Sequence, residues 1–354
     1  MKIRRALDGK SVLRLRTGLE MRLSNLWACL FLVFAATTLA VMSINVGFTR
    51  TGVSDLGHLA AGERLGGAEV FALLDVRMPR ILTGFMAGWC VAMAGAMLQA
   101  LARNPLADPG LFGLSQGSMV TIMVLLALFP TAPRSIIPLT ALAGGLLVAL
   151  TLIWLVRGDR SGGLAILLMG IAIETVLSSV TGILILYTPA ETSYALSDWL
   201  AGSLFRADWN GIWAFMPWFA LSIPAAFVTG RALRSFGLGD DMAMALGEPV
   251  PWSRPTFLFV AVLLSSAAVA AVGPLIFLGV MAPHLAGILS PATGRARLFL
   301  SGLTGGTLVI AADILTRLVA ADVPLQLGLS LSLIGVPLFI IALRLRALRT
   351  ISNL

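Results

Sequence analysis

Of 354 residues, 58% are apolar and only 12% charged, and the mean hydropathy is +0.94. Soluble domains run near half apolar and about a quarter charged, so this composition excludes an ordinary soluble enzyme or binding module. The net charge of +8 does not point to nucleic acid, because the basic residues are scattered in short segments between apolar runs and at both ends. In a membrane chain that arrangement sets orientation.

The apolar runs are continuous rather than alternating, which selects helices over a barrel as the way to satisfy a backbone in lipid. Ten spans are expected, at about 25–46, 81–100, 111–129, 137–156, 164–187, 211–229, 255–272, 274–289, 298–319 and 329–343. The first run is too long for a secretory leader, whose apolar region is roughly 7–15 residues, and reads as an uncleaved membrane helix. The expected organisation is a basic segment 1–24, one transmembrane unit 25–345 with an inner loop at about 230–254, and a tail 346–354. With both ends inside, the inner side carries eighteen Lys and Arg residues and the outer side seven. The positive-inside bias therefore places both termini in the cytoplasm.

Taken in order, the outer segment 49–80 mixes apolar and acidic residues and suits a short surface helix. Pro79 then fits the first turn of the next helix, where its missing N–H is harmless. Gly84 and Gly88 give that helix a small-residue face for close approach by a neighbour. Asn104, Pro105, Pro109 and Gly110 punctuate a tight inner turn. Glu174 falls near the middle of the fifth span, where an ionisable group is costly and faces a cavity or a partner. Trp199 and Trp209 suit the outer interface. On the inner loop, Gly239 and Gly247 bracket two apolar-faced turns that begin with Asp240 and Asp241, a fit to a helix N-terminus. His284 follows Pro283 at the inner end of a span and suits a capping role. Cys29 and Cys90 lie inside apolar runs and read as buried thiols, and two distant histidines form no metal cluster. Gly9-Lys10-Ser11 echoes a phosphate loop, but Arg4 occupies the required glycine position and no strand precedes it. The chain itself is therefore not expected to hydrolyse ATP.

Several stretches carry a resemblance. Arg77, Pro79, Arg80, Gln99, Asn104, Pro105, Leu106, Ala107, Pro109 and Gly113 follow the pattern R-x-P-R, a Gly-rich helix ending in Gln, then N-P-L-A-x-P. Trp199–Leu204, Gly273–Ile288, Ala312–Leu318 and Leu333–Leu338 add further matches. The sequence resembles, over roughly residues 25–345, the FecCD-type permeases of bacterial ABC importers for iron–siderophores, haem and cobalamin. Gly287 and Met244 depart from it, each standing where Arg is usual, and Phe112 replaces a common Leu.

The resemblance implies an all-α, type II ABC importer permease fold with no cofactor or bound metal, in the bacterial inner membrane. It also implies partners: a pair of ATPase subunits, a second permease subunit (a heterodimer favoured, a homodimer open) and a periplasmic binding protein. It assigns Arg77, Arg80 and Arg317 to docking of that binding protein. The competing readings are pairing of Arg317 with Asp313 one turn away and snorkelling of Arg77 and Arg80 to headgroups. Leu238, Gly239, Asp240, Asp241, Ala243, Leu246 and Gly247 match the coupling helix that engages the ATPase. Glu174 lies on the helix that lines the path in the resembled family. Iron(III)–siderophore transport is the expected task, with haem or cobalamin as the alternative. A secondary transporter would need more intramembrane ionisable groups, and a membrane enzyme a convergent polar cluster.

Overall fold

The computed structural model describes residues 2–5, 11–14, 20–47, 51–63, 65–129, 132–133, 136–156, 163–188, 201–319 and 325–351. The helices in chain order are α1 (Leu23–Asn45), α2 (Val53–Ala60), α3 (Gly67–Val70), α4 (Met78–Ala102), α5 (Leu114–Leu128), α6 (Ile137–Val156) and α7 (Gly163–Tyr187). They continue as α8 (Trp209–Phe236), α9 (Asp240–Ala245), α10 (Val250–Val272), α11 (Leu278–Leu289), α12 (Arg295–Val319) and α13 (Leu327–Ile351). Among the described residues seven helices are long and apolar enough to cross a membrane. Three shorter apolar helices, at Leu114–Leu128, Leu278–Leu289 and Leu327–Ile341, occupy the other expected spans. The chain is thus a polytopic all-helical membrane protein. One local exception is an antiparallel sheet of β1 (Lys2–Arg5), β2 (Ser11–Arg14) and β3 (Glu20–Arg22), with Ile3, Leu13 and Met21 in register. A strand therefore does precede Gly9-Lys10-Ser11, contrary to expectation, but Arg4 still occupies the glycine position a phosphate loop requires. At the other end, α13 continues through Ile351 into the segment read as a tail.

The second span departs from expectation at its outer end. Pro79 lies in the first turn of α4, as expected, but the chain does not start a new helix there. A π-helical stretch, Phe71–Arg77, joins α3 directly to α4, so the outer surface helix and the span form one continuous element. Proline inside a helix removes a backbone donor, and π turns are a known way to absorb such a break. In the π pattern the carbonyl left without its donor is that of Leu74. The indole Nε1 of Trp209 donates to it at 2.9 Å. Trp209 is therefore a fastener between α8 and this helix.

Helix α4 is the axis of the bundle, buried at almost every position from Met86 to Leu98. α12 packs along it, with α8, α10 and α11 around it. Glycines permit this approach. A Cβ on Gly88 would sit 2.5 Å from the Gly305 carbonyl oxygen, and one on Gly95 would sit 2.2 Å from that of Gly279. Close backbone contact at small residues replaces the hydrophobic drive that lipid cannot supply. The buried Trp89 seals this core. Its indole donates to Ser222 at 2.9 Å, and its ring meets Phe219 and Phe299 edge-on at 5.9 and 5.8 Å.

Candidate functional site

At the outer end, the π-helical stretch and α12 bring Arg77 and Arg317 onto the C-terminus of α1, and α4 adds Arg80 beside Arg317. Four terminal carbonyls of any helix lack intrahelical donors, and cations are favoured there; α1 has no basic residue in its own last turn. Arginines from elsewhere supply the donors. Arg77 donates to the Ile44 carbonyl, and to that of Thr51 at 2.6 Å. Arg317 donates to Ser43 O at 2.9 Å, to Val46 O at 2.7 Å and to the Ser43 hydroxyl. Asp313 accepts from Arg80 Nε at 2.6 Å through Oδ1 and from Arg317 Nη2 at 3.0 Å through Oδ2. The Asp313 side chain is 2% exposed, those of Arg80 and Arg317 14% and 13%. The i,i+4 pairing of Arg317 with Asp313 is present. The three guanidiniums are interior clamps joining α1, α4 and α12 rather than free side chains on the outer surface.

On the inner side, the end of α4 and the following turn grip α11. Gln99 donates to the Gly279 carbonyl at 3.1 Å and lies 3.4 Å from Arg297. Asn104 accepts from the Leu106 amide at 2.9 Å, fixing the turn that Pro105 enters, while Arg103 takes a left-handed conformation at φ 49°. Asp108 then caps the short 3-10 helix Pro109–Phe112, with Oδ1 accepting from the Gly110 amide at 2.7 Å. Its second oxygen is buried against Gly279 near the start of α11. Pro283 and His284 lie within α11, not at its end, since the helix closes at Ser290. His284 is therefore not a cap. It is buried and packs edge-on against Phe339 with ring centroids 4.9 Å apart.

The inner loop forms the expected short helix. α9 starts after Gly239 (φ 101°) and is followed by Gly247 (φ 84°), backbone conformations that favour glycine. Ala243 is fully buried and seats the helix on the bundle, whereas Leu238, Met242, Met244 and Leu246 are each at least half exposed. Trp252, in the first turn of α10, is more exposed still. Asp240 forms an ion pair with Arg254 of α10, whose guanidinium also lies 5.8 Å from the Phe236 ring centroid at the end of α8. Asp241 is exposed. The spacing in sequence gave the helix; the Asp240–Arg254 bond, between separate elements, had no sequence signal.

Helix α7 carries Glu174. It rests on the 109–113 turn, where a Cβ at Gly170 or Gly113 would collide with Phe112 or with the Glu174 backbone. Glu174 is half-buried and makes no hydrogen bond or ion pair among the described residues. No metal-holding group of His, Cys, Asp or Glu occurs among the described residues. Trp199, matched by motif, lies outside them, but its neighbours are placed: the Ser203 amide donates to Val272 O, and Gly328 N to Ala201 O, both at 2.8 Å.

This bundle, with one helix folded out on its inner face, has the architecture of a membrane-spanning permease. A solved metal-chelate type ABC transporter in an inward-facing conformation superposes with a TM-score of 0.77 at 23% identity, covering 90% of this chain and 99% of that one. The FecCD transport family matches residues 30–345, and the chain belongs to it. Among relatives, the Fe(3+) dicitrate permease FecD of Escherichia coli K12 is 32% identical over 311 residues, 88% of this chain and 96% of that protein. The Fe(3+)-citrate permease YfmE of Bacillus subtilis 168 is 32% identical over 322 residues, 91% and 96% of the two chains. The iron(3+)-hydroxamate permease FhuG of the same bacterium is 29% identical over 321 residues, 87% and 95%.

Proposed function

We propose that the chain is the permease subunit of an ATP-driven importer in the bacterial inner membrane and that it carries iron(III) chelates by alternating access. Relatives named for ferric citrate and hydroxamate transport support the cargo, and disfavour haem or cobalamin. A second permease subunit completes the path, and relatives named as FecC and FecD of one system favour a heterodimer. Hydrolysis belongs to a separate ATPase pair.

The observation that carries the reading is the face of α9. Exposed Leu, Met and Trp side chains clustered on a loop that the charge bias puts in water mark a protein interface. Leu238, Met242, Met244 and Leu246 form the surface offered to the ATPase, while Asp240 and Ala243 anchor the helix to the bundle. Gly239, Asp241 and Gly247 shape its ends. Movement of the ATPase against α9 passes through Asp240–Arg254 to α10. At the outer end Arg80 and Arg317 share the buried Asp313 carboxylate while Arg77 lies within electrostatic reach of Asp55, and the one positive charge left over attracts acidic groups of a docking binding protein. Because those side chains also clamp helices, exchanging them for Glu would confuse docking with folding. Docking is better read from its salt dependence.

The test is the variant Leu246→Glu with Met242→Glu. These side chains are mostly exposed, so the chain should insert and fold normally. Co-purification of the ATPase subunit should fall at least tenfold and ATP-driven uptake with it. Full co-purification would remove α9 from the interface.

A further inference from the structure

Helix α7 is divided along its length into three faces. Gly170, Ile173, Leu177 and Thr181 turn inward, the last bonded to Gln116 at 3.1 Å. Val176, Val180 and Ile183 are exposed on an apolar flank that suits lipid or an apolar partner surface. Between these lies a polar strip made of two i,i+4 rows, Glu174–Ser178–Gly182 and Thr175–Ser179. Glu174 is half-buried and the other four are exposed.

The hydroxyls alone decide nothing. Thr175 and Ser179 donate to carbonyls one turn back, at 2.8 and 2.9 Å, and hydroxyls bonded in this way are tolerated against lipid. The carboxylate decides. It stands near the centre of a membrane helix with no cation, donor or cap among the described residues, and Gly182 two turns on along the strip has nothing within 4 Å of where a Cβ would lie. An intramembrane acid without a partner in its own chain faces water or a cavity.

The geometry points to the Glu174–Ser178–Gly182 strip as a water-lined wall of the translocation path, with Glu174 a specificity-determining charge that favours neutral or cationic ferric chelates over polyanionic ones. The inference rests on the permease reading above and narrows its cargo. A ferric trihydroxamate has no net charge at its metal centre, because three hydroxamates neutralise iron(III). A ferric tris-catecholate carries three negative charges and meets a like charge on the wall it passes, where a confined water layer between protein surfaces screens less than bulk water and Coulomb terms are larger. The relatives named above are named for a ferric citrate and for a ferric hydroxamate, one carboxylate-rich chelate and one of the neutral-centre kind, so family membership does not settle the preference and this side chain bears on it.

Single cysteines at Ser178 and, as a flank control, at Val180 test the wall in the full chain in native membranes. The probes are two methanethiosulfonates of similar size, one carrying trimethylammonium and one sulfonate. Cys29 is half-buried and Cys90 buried, and the chain without an added cysteine sets the background. Ser178→Cys should react at least tenfold faster than Val180→Cys. The cationic reagent should be favoured by roughly tenfold over its ratio with a free thiol. Adding Glu174→Gln, or Glu174→Ser if the amide variant fails to insert, should erase that preference. In uptake assays Glu174→Gln should raise the tris-catecholate flux relative to the trihydroxamate flux. A residue-178 thiol no more reactive than the flank control, or a charge preference unchanged by Glu174→Gln, would overturn the inference. Loss of ATP-driven uptake by the unsubstituted chain would instead overturn the permease reading.

Discussion

Gly95→Leu is expected to abolish the detergent-stable folded protein. A Cβ at this position would lie 2.2 Å from the carbonyl oxygen of Gly279 and 2.6 Å from both its carbonyl carbon and its Cα. No rotamer avoids a clash with backbone. Overpacking in adaptable cores costs about 1–3 kcal/mol, occasionally more, and this contact has little means to adapt. Gly279 is itself confined, since a Cβ there would meet Pro109 at 2.5 Å and Asp108 at 2.7 Å. Gln99 bonds to the same carbonyl. Withdrawal of α11 from α4 would break that bond and uncover the inner turn. Gly182→Leu is the matched control, with nothing within 4 Å of its Cβ position. Size-exclusion profiles and thermal unfolding in detergent should show aggregation for the first and a near-normal protein for the second.

Asp313→Ala has the second largest expected effect. It leaves Arg80 and Arg317 facing each other at the outer end of α12 with their shared acceptor gone. Removing one partner of a buried ion pair costs about 3–5 kcal/mol, mostly from the charge left behind. Both arginines keep some exposure, which places the effect toward the lower figure. Asp313→Asn retains an acceptor oxygen but not the charge and should fall between Ala and the natural residue. A drop in unfolding temperature, with faster proteolysis near the end of α1, would register the loss. Stability equal to that of the unsubstituted protein would mean that the cluster clamps nothing.

The pattern of apolar runs made the ten helical segments legible because each must span the same hydrocarbon thickness. The outer start of α4 was not legible. Residues 67–80 include Glu69, Asp75, Arg77 and Arg80, so the segment reads as surface, and Pro79 reads as a start signal. The tolerance came from a π turn and from an indole 135 residues away in sequence. The arginines show the same limit. Arg317 and Asp313 are one turn apart, and their pairing follows from helical geometry. Arg80 reaches Asp313 across 233 positions, a partnership that no local spacing encodes. Motif resemblance located these residues and the α9 loop; only the packing revealed that the arginines also act as fasteners. Glu174 was visible as an anomaly from the outset, and its three-faced helix gave the anomaly a direction.

Whether this chain forms the membrane path of an ATP-driven iron-chelate importer is read in proteoliposomes holding the chain with its second permease subunit, its ATPase pair and a binding protein, supplied with radiolabelled ferric chelate. Uptake should require both ATP and the binding protein and be lost with Leu246→Glu and Met242→Glu. Uptake by the chain without an ATPase, driven by a proton or sodium gradient, would contradict that role.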